Sequence, residues 1–449
     1  MGCKVPGEKK HTLMTQFTAF CERKFRLREN KTNLRTEFFA GITTFATMSY
    51  VLATIPNMLG NVGLPRDVIL TSLILTIVLC TTAMALYTNR PFALAPGMSS
   101  VAVISITIYE VGIPVEVAFG LIFWSGLIFV LISFIGLREL VVRAIPSSVK
   151  ISISAGIGLF IALIGLKTGG VIASSHTDSL VFGDLNTPHC LLFVIGIIVL
   201  LVLEARKFRG SMIISILVIT LLGIPMGVTI VPETMFNSPA PMGEALFHID
   251  ILGALRPEYF PFLFTFFVPD FFGTMGIILG VANRASWLDR DGNMPEIERC
   301  FKVDSLSTVL GSFCCMPVMT TYLESASGVE DGGRTGLTTL VTAGMFVLML
   351  LFTPLALMIP LVATGPVLFY IGLQMLSSMK NINYEDKTEY IPSFVAVAMT
   401  IFTNNIANGL SLSVLSYVLL KVTSGRYREL HPAMYGLSAF LLYYISTLV

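Results

Sequence analysis

Apolar segments of about twenty residues follow one another from residue 36 to the end of the chain. A helix of roughly that length is needed to cross a hydrocarbon core of about 30 Å. Of the 449 residues, 54% are hydrophobic and only 13% are charged, whereas soluble globular domains carry about 25% charged residues. The sequence therefore predicts an all-α membrane protein and leaves no room for a sizeable extramembrane domain.

The alternation of apolar runs and polar breaks predicts about fourteen spans, and a last apolar run at 433–448 would be a further span or an interfacial helix. If the N-terminus is cytoplasmic, nearly all clusters of Lys and Arg in the short loops lie inside, as the positive-inside rule requires. Each half would contain seven spans, which is an odd number. The second half would therefore begin on the opposite side of the membrane and have the inverted topology. The sequence thus predicts two inverted seven-helix repeats in a multi-pass protein of the cell membrane.

Two spans are interrupted at corresponding positions of the two halves. Pro96 and Gly97 break the third span, and Pro317 precedes polar residues in the tenth. Irregular backbone at membrane depth is tolerated only where protein or a water-filled cavity satisfies the freed amide groups. We therefore expect two half-helices whose N-termini face each other and bind a polar ligand, a pattern typical of secondary transporters. The alternative is that proline and glycine merely kink two packed spans.

Two carboxylates lie at the depth of the predicted membrane midplane, Asp270 in the eighth span and Glu324 just inside the broken tenth. A lone charge at that depth costs at least about 2.5–3.5 kcal/mol, so an intramembrane acid is a candidate functional group. We predict that both side chains contribute to substrate binding and to proton coupling. The alternative is a structural acid that accepts hydrogen bonds from backbone donors.

The remaining candidates come from the two breaks, from a polar stripe in the first span and from a phenylalanine-rich eighth span. A threonine in the stripe either faces a ligand or bonds to its own helix, and a phenylalanine either stacks on a flat ligand or packs in the core. The predicted substrate-binding set is Glu324, Asp270, Gly97, Met98, Ser99, Thr321, Thr44, Phe267 and Phe271.

The chain contains no Ser/His/Asp set, metal-ligand spacing or nucleotide fingerprint, and its five histidines fall in predicted tails or loops. We therefore expect a protein that is not an enzyme and that has no metal, no cofactor and no nucleic-acid partner. The expected partners are a small-molecule substrate, protons and the lipid bilayer, with a homodimer as a candidate assembly.

Several long segments resemble the AzgA-like purine permeases, a family of nucleobase–cation symporters. The similarity runs from about residue 33 to the C-terminus. The segments that carry it are 37–45, 93–98, 145–160, 320–329, 332–337 and 417–427. The resemblance implies uptake of hypoxanthine, guanine or adenine with protons by an elevator movement of a core domain against a gate domain. In that family Glu324 matches the purine-binding acid of the tenth span, and Asp270 matches an acid of the eighth.

The resemblance also implies how the chain divides. The first four spans and spans eight to eleven form the core, and the other spans form the gate. The corresponding segments are a cytosolic tail at 1–35, core segments at 36–136 and 259–359, and gate segments at 137–258 and 360–449 with the C-terminus.

The chain departs from the family pattern at three positions. Val101 stands where an amide side chain is usual, and Gly273 and Asn408 stand where acids are usual. The substrate therefore stays open among a purine, another flat polar heterocycle and a small organic anion. Two alternatives to proton-coupled nucleobase uptake remain, namely a carrier of organic or inorganic anions on the same fold and a non-transporting membrane sensor.

Overall fold

The computed structural model of the protein describes residues 18–60, 63, 65–109, 111–135, 146–174, 180–208, 210–244, 246–287, 294–403 and 406–448. Within these ranges, seven helical segments are long and apolar enough to cross a bilayer, and shorter apolar helices accompany them. The prediction of a mostly helical membrane protein is thereby confirmed.

The helices of the first half are α1 (Leu34–Met48), α2 (Val51–Leu59), α3 (Arg66–Thr88), α4 (Met98–Tyr109), α5 (Val115–Ile135), α6 (Ser147–Thr168), α7 (Pro188–Ala205) and α8 (Ser211–Gly223). Those of the second half are α9 (Phe260–Arg284), α10 (Ile297–Phe313), α11 (Ser325–Glu330), α12 (Gly336–Met349), α13 (Thr353–Leu357), α14 (Leu361–Leu376), α15 (Lys387–Phe402), α16 (Ile406–Thr423) and α17 (Pro432–Leu448). Four short strands form two antiparallel pairs, β1 (Leu94–Pro96) with β4 (Met319–Thr321) and β2 (Ile172–Ser174) with β3 (Leu180–Phe182).

The helices pack mainly with partners from the other half of the chain. Helix α12 packs against α1 and α3, and α10 packs against α5, whereas α14 packs against α6 and α7, and α15 against α16 and α6. Glycines bring α6 and α14 into backbone contact, since a Cβ added to Gly372 would lie 2.2 Å from the Gly158 carbonyl oxygen. Small residues at helix crossings allow this close approach, which drives association where lipid provides no hydrophobic force.

Strands β1 and β4 bring the two predicted breaks together. Leu94 pairs with Thr321 and Pro96 with Met319. The Gly97 amide extends the ladder by donating to the Val318 carbonyl at 2.9 Å. In the interior of a membrane protein, extended backbone needs such partners because water is absent. Each strand therefore satisfies the backbone groups of the other.

The N-terminal segment is docked on the helices from residue 18 onward. The buried side chains of Cys21, Phe25 and Leu27 pack with Leu337 of α12. The Asn89 amide group donates to the Phe25 carbonyl at 2.9 Å. The described part of the predicted tail is thus attached to the body of the protein.

The buried Lys421 joins α15, α16 and the turn that follows α16. Lys421 of α16 is 1% exposed, and its ammonium nitrogen lies 2.9 Å from a Glu389 carboxylate oxygen and 2.8 Å from one of Glu429. The Arg426 guanidinium adds contacts of 2.6 Å to Asp386 and 2.7 Å to Glu429. We call these five residues the ionic cluster, and it joins α15 to α16 and to the turn that follows α16.

The ionic cluster makes stability depend on pH. The Thr388 hydroxyl and the Arg426 guanidinium lower the pKa of Asp386 to about 2. Arg426 and then Lys421 lower the pKa of Glu429 to about 2. The unfolded values of the two carboxyl groups are about 4. The ionised carboxylates therefore stabilise the fold above about pH 4, and this contribution is lost as the pH falls through about 2.

Replacing Arg426 by Gln should raise both pKa values toward their unfolded values. Helical structure, followed by circular dichroism of detergent-solubilised protein, should then be lost at a higher pH than in the wild type. Arg299→Gln is the matched control, because its contact with Glu296 is exposed and lies outside the ionic cluster. Equal acid midpoints for Arg426→Gln and the wild type would contradict this account.

Candidate functional site

Glu324 lies between β4 and α11, at the second of the two predicted breaks. Tyr50, at the junction of α1 and α2, donates its hydroxyl to a Glu324 carboxylate oxygen at 2.9 Å. Tyr50 is buried, whereas Glu324 is partly exposed. The carboxylate is thus held on one side by a phenol, in a residue that is not fully buried.

A second tyrosine ties this acid to the first break. The Tyr322 hydroxyl donates to the Pro96 carbonyl at 2.6 Å and lies beside the Tyr50 hydroxyl. The Ala93 amide donates to the Ser325 hydroxyl at 3.0 Å. The end of β1 and the start of α11 are therefore fixed relative to each other around Glu324.

Gly97 and Met98 lie at the start of α4, close to the same stretch of the first span. The Met98 sulfur lies 3.9 Å from the Thr54 hydroxyl, one helical turn beyond Tyr50. A Cβ added to Gly97 would lie 2.8 Å from the Thr320 methyl carbon, so the approach of the two strands requires glycine. Ser99 follows and is partly exposed. The structure thus brings Gly97, Met98 and Glu324 into one region.

Asp304 of α10 anchors β4 from behind. One of its carboxylate oxygens accepts from the Thr321 amide at 2.9 Å and the Thr321 hydroxyl at 3.0 Å. The other accepts from the Thr274 hydroxyl at 2.9 Å. The Thr274 and Thr320 hydroxyls are 2.6 Å apart. Thr321, a predicted substrate contact, therefore uses its hydroxyl to bind a fully buried aspartate.

Asp270 of α9 lies one turn before Thr274. Its side chain is 6% exposed, and neither carboxyl oxygen has a hydrogen-bond partner within the part of the chain that the structure describes. Asp304 is close enough to interact with it electrostatically. A buried carboxyl group without donors is costly when charged, so this position favours a group that carries a proton.

The structure places Thr44 at a helix interface. Its hydroxyl donates to the Ala40 carbonyl of its own helix at 3.1 Å. A Cβ added to Gly328 of α11 would lie 2.2 Å from the Thr44 hydroxyl oxygen. Thr44 thus sets how closely α1 and α11 pack.

The two candidate phenylalanines belong to an aromatic cluster between α5, α9 and α10. The Phe267 and Phe271 rings stack at a centroid distance of 5.5 Å. Phe129 lies 5.1 Å from Phe271, and Phe301 lies 6.2 Å from it, again as centroid distances. These rings pack against one another, and the prediction that Phe267 and Phe271 also stack on a flat ligand stays a prediction.

The three positions that depart from the family pattern have different surroundings. Val101 is fully buried in α4. Gly273 is exposed, and a Cβ added there would meet no atom within 4 Å. Asn408 lies near the start of α16 and is partly exposed. The missing acid at Gly273 thus leaves open space beside α9.

Sequence reasoning missed Tyr50, Tyr322 and Asp304. Asp304 lies near the start of the predicted ninth span, where an acid suggests an interfacial position, yet the side chain is fully buried. Tyr50 ends the polar stripe of the first span and Tyr322 follows the second predicted break, but their partners lie in the other half of the chain, so neither was assigned to the site.

The chain matches the sequence profile of the Permease family named Xan_ur_permease over residues 35–412. It is 34% identical to the adenine permease AdeP of Escherichia coli, and the match covers 94% of this chain and 95% of AdeP. It is 32% identical to the guanine/hypoxanthine permease PbuO of Bacillus subtilis, with coverage of 91% and 96%. The nucleobase transporter PlAzg2 of Paenibacillus larvae is 28% identical, with coverage of 86% and 77%.

Solved structures share the fold at low sequence identity. The transmembrane domain of the cyanobacterial bicarbonate transporter BicA has a TM-score of 0.61 and 14% identity, covering 84% of this chain and 97% of that domain. The structure of SLC26A9 has a TM-score of 0.64 and 14% identity, covering 87% of this chain and 66% of that one. The resemblance to AzgA-like purine permeases is confirmed, and the chain belongs to the Xan_ur_permease family of membrane permeases.

Proposed function

We propose that the protein is a secondary active transporter that takes up a purine nucleobase together with protons across the cell membrane. The observation that carries the proposal is the Glu324 carboxylate, which accepts the Tyr50 hydroxyl beside the end of the two paired strands, in a residue that is partly exposed. A carboxylate fits a purine because its two oxygens accept hydrogen bonds from adjacent ring and exocyclic N–H donors. The adenine and guanine/hypoxanthine permeases among the relatives support this class of substrate.

Gly97, Met98 and Ser99 at the start of α4 would complete the substrate site opposite Glu324. The first amide groups of a helix carry a partial positive charge and suit the acceptor nitrogens and oxygens of a nucleobase. The contact of the Met98 sulfur with Thr54, one helical turn beyond the Tyr50 that binds Glu324, supports this assignment. Thr44, Thr321, Phe267 and Phe271 would then act indirectly, by fixing the helices and strands around the site.

The proposed movement is an elevator displacement of a core against a gate. Under this proposal β1 with α4, and β4 with α11, are two spans interrupted within the membrane in two inverted seven-span repeats. The preferential packing of α1, α3, α5, α10 and α12 with one another supports a core, and that of α6, α7, α14, α15 and α16 supports a gate. The N-terminus would be cytoplasmic.

A carrier of small anions is the second candidate, because the fold resembles that of a bicarbonate transporter. An anion would have to approach Glu324, whose carboxylate repels it unless protonated. The neutral N–H edge of a purine meets no such repulsion. The position of Glu324 therefore favours the nucleobase.

A thermal-shift panel on detergent-purified protein tests the substrate class. A ligand that binds only the folded state stabilises it by about 2.7 kcal/mol at 100 times its Kd. Adenine, guanine or hypoxanthine should raise the melting temperature, whereas bicarbonate and sulfate should leave it unchanged. The ligand that shifts the temperature should then accumulate in proteoliposomes under an inward proton gradient. A shift with the anions and none with any nucleobase would overturn the proposal.

A further inference from the structure

Helices α9 and α10 face each other through two polar pairs of residues. Asp270 and Thr274 are four residues apart on α9, and Asp304 and Thr308 are four apart on α10, so each pair shares a helix face. The Thr274 hydroxyl bridges the helices by donating to Asp304 at 2.9 Å. Asp270, one turn away, interacts electrostatically with Asp304.

The two aspartates have opposite hydrogen-bonding environments. Asp304 accepts three hydrogen bonds, from the Thr274 hydroxyl and from the amide and hydroxyl of Thr321. The carboxyl oxygens of Asp270 accept none within the described residues. Donors stabilise a carboxylate, whereas burial without donors and a neighbouring negative charge both disfavour it. A single proton bound to this pair therefore belongs on Asp270 in the present conformation.

Other ionisable groups on the elements packed against α9 lie mostly toward helix ends, whereas Asp270 is in the middle of α9. These groups are Glu258 and Tyr259 in the turn before α9, Tyr109 of α4, Glu116 of α5, Lys150 and Lys167 of α6, Glu298, Arg299, Cys300 and Lys302 of α10, Glu324 and Glu330 beside α11, and Tyr417 and Lys421 of α16. Glu330 pairs with Arg284 at the far end of α9, about 21 Å along the helix from Asp270. Lys421 is held by the ionic cluster.

We propose that Asp270 and Asp304 carry one proton between them, and that Asp304 transmits the presence of this proton to β4. The inference rests on the proposed transport function and adds Asp304 as a positioning residue. A proton enters from one aqueous side and leaves to the other, and no other bond is made or broken. If the proton moves from Asp270 to the Asp304 oxygen that accepts from Thr321, that oxygen becomes a donor and both Thr321 bonds are lost, whereas the other oxygen can still accept from Thr274. Strand β4, which ends three residues before Glu324, is then released from its anchor.

Transport by purified protein in proteoliposomes separates coupling from binding. Asp270→Asn and Asp304→Asn should each lower adenine accumulation driven by a proton gradient at least tenfold. Exchange of internal for external adenine needs no net proton movement, so in Asp270→Asn it should fall much less than proton-driven accumulation does. In Asp304→Asn exchange should also persist, with a higher KM because β4 has lost its anchor. Glu330→Gln is the matched control and should leave both activities unchanged.

Infrared difference spectroscopy tests the pair without substrate. A pH-difference spectrum of the wild type should contain the C=O stretching band of a buried carboxylic acid. Asp270→Asn should remove this band, Asp304→Asn should shift it, and Asp304→Glu should retain it. If Asp304→Asn does not fold, Thr274→Val replaces it, because losing one donor to Asp304 should also shift the band.

Two results would overturn the proposal. The first is proton-driven accumulation at wild-type level in Asp270→Asn. The second is an unshifted band in both Asp304→Asn and Thr274→Val, which would mean that Asp270 titrates alone. A wild-type protein that shows the band and its shifts but transports no nucleobase would instead refute the proposed substrate and leave the carboxyl pair standing.

Discussion

Glu324→Gln should abolish accumulation of a purine base while the protein still folds and inserts in the membrane. Glutamine keeps the size of the side chain and can still accept the Tyr50 hydroxyl. It replaces one of two acceptor oxygens by a donor, which then faces an N–H group of the purine. Hydrogen bonds to a charged group contribute about 1.5–3 kcal/mol, and an unpaired buried donor costs about 1–3 kcal/mol. Affinity should therefore fall by at least about 100-fold.

Uptake of radiolabelled adenine, guanine and hypoxanthine into cells measures this effect, with the amount of protein in the membrane determined in parallel. The matched control is Glu330→Gln, which changes an acid at the other end of α11 that pairs with Arg284. The control should transport within about twofold of the wild type. Wild-type uptake by Glu324→Gln would remove the acid from the substrate site.

Lys421→Met should cause the largest loss of stability among the substitutions considered. Methionine fills a similar volume, so the loss reflects charge rather than a cavity. Within the described contacts, Lys421 is the cation that contacts Glu389. In the variant, Asp386 and Glu429 would still be paired with Arg426, whereas Glu389 would lose its cation. Removing one partner of a buried ion pair costs about 3–5 kcal/mol. Because Glu389 is 22% exposed, we expect about 3 kcal/mol.

Thermal unfolding in detergent, followed by circular dichroism, measures this loss. Lys387→Met is the matched control, because Lys387 is an exposed lysine at the first position of α15. Its melting temperature should match that of the wild type. The double variant Lys421→Met with Glu389→Gln should recover part of the loss, since neither charge is then left alone. If Lys421→Met melted at the same temperature as Lys387→Met, the ion pair between Lys421 and Glu389 would contribute nothing to stability.

The helical architecture was predictable because membrane spans are encoded locally. Runs of apolar residues long enough to cross the bilayer identify α3, α5 and α6 without reference to any other part of the chain. The expected breaks at Pro96 and Pro317 were inferred from a local signal too, but a weaker one, because Pro56, Pro366 and Pro392 lie inside helices. The pairing of the segments beside the two breaks as β1 and β4 depends on both halves and was not predicted.

Site residues were predictable only where a residue type is rare within a membrane span, as an acid is. Asp270 and Glu324 are acids within apolar runs, so composition alone identifies them as candidates. Asp304 escaped because the ninth span predicted from the sequence begins at residue 302, whereas helix α10 begins at Ile297 and places Asp304 at its middle. Tyr50 escaped because tyrosine is common in membrane helices. Thr44 and Phe271 were selected by residue type, although hydroxyls and aromatic rings serve packing as readily as binding. In the structure Thr44 contacts Ala40 and Phe271 contacts Phe129, so both residues have a packing role, and their part in binding stays a prediction.

The pairing of β1 with β4 has a consequence for biogenesis. Residues 94 and 321 become neighbours in one ladder, yet more than half of the chain must leave the ribosome after the first strand before its partner exists. Until then the backbone N–H and C=O groups of the earlier strand have no hydrogen-bond partners from the second strand. Unsatisfied backbone groups are costly within the bilayer. Assembly of this centre is therefore a late event that has to wait for synthesis of the second strand. Two separately synthesised halves would each insert their helices but acquire a working centre only after they meet.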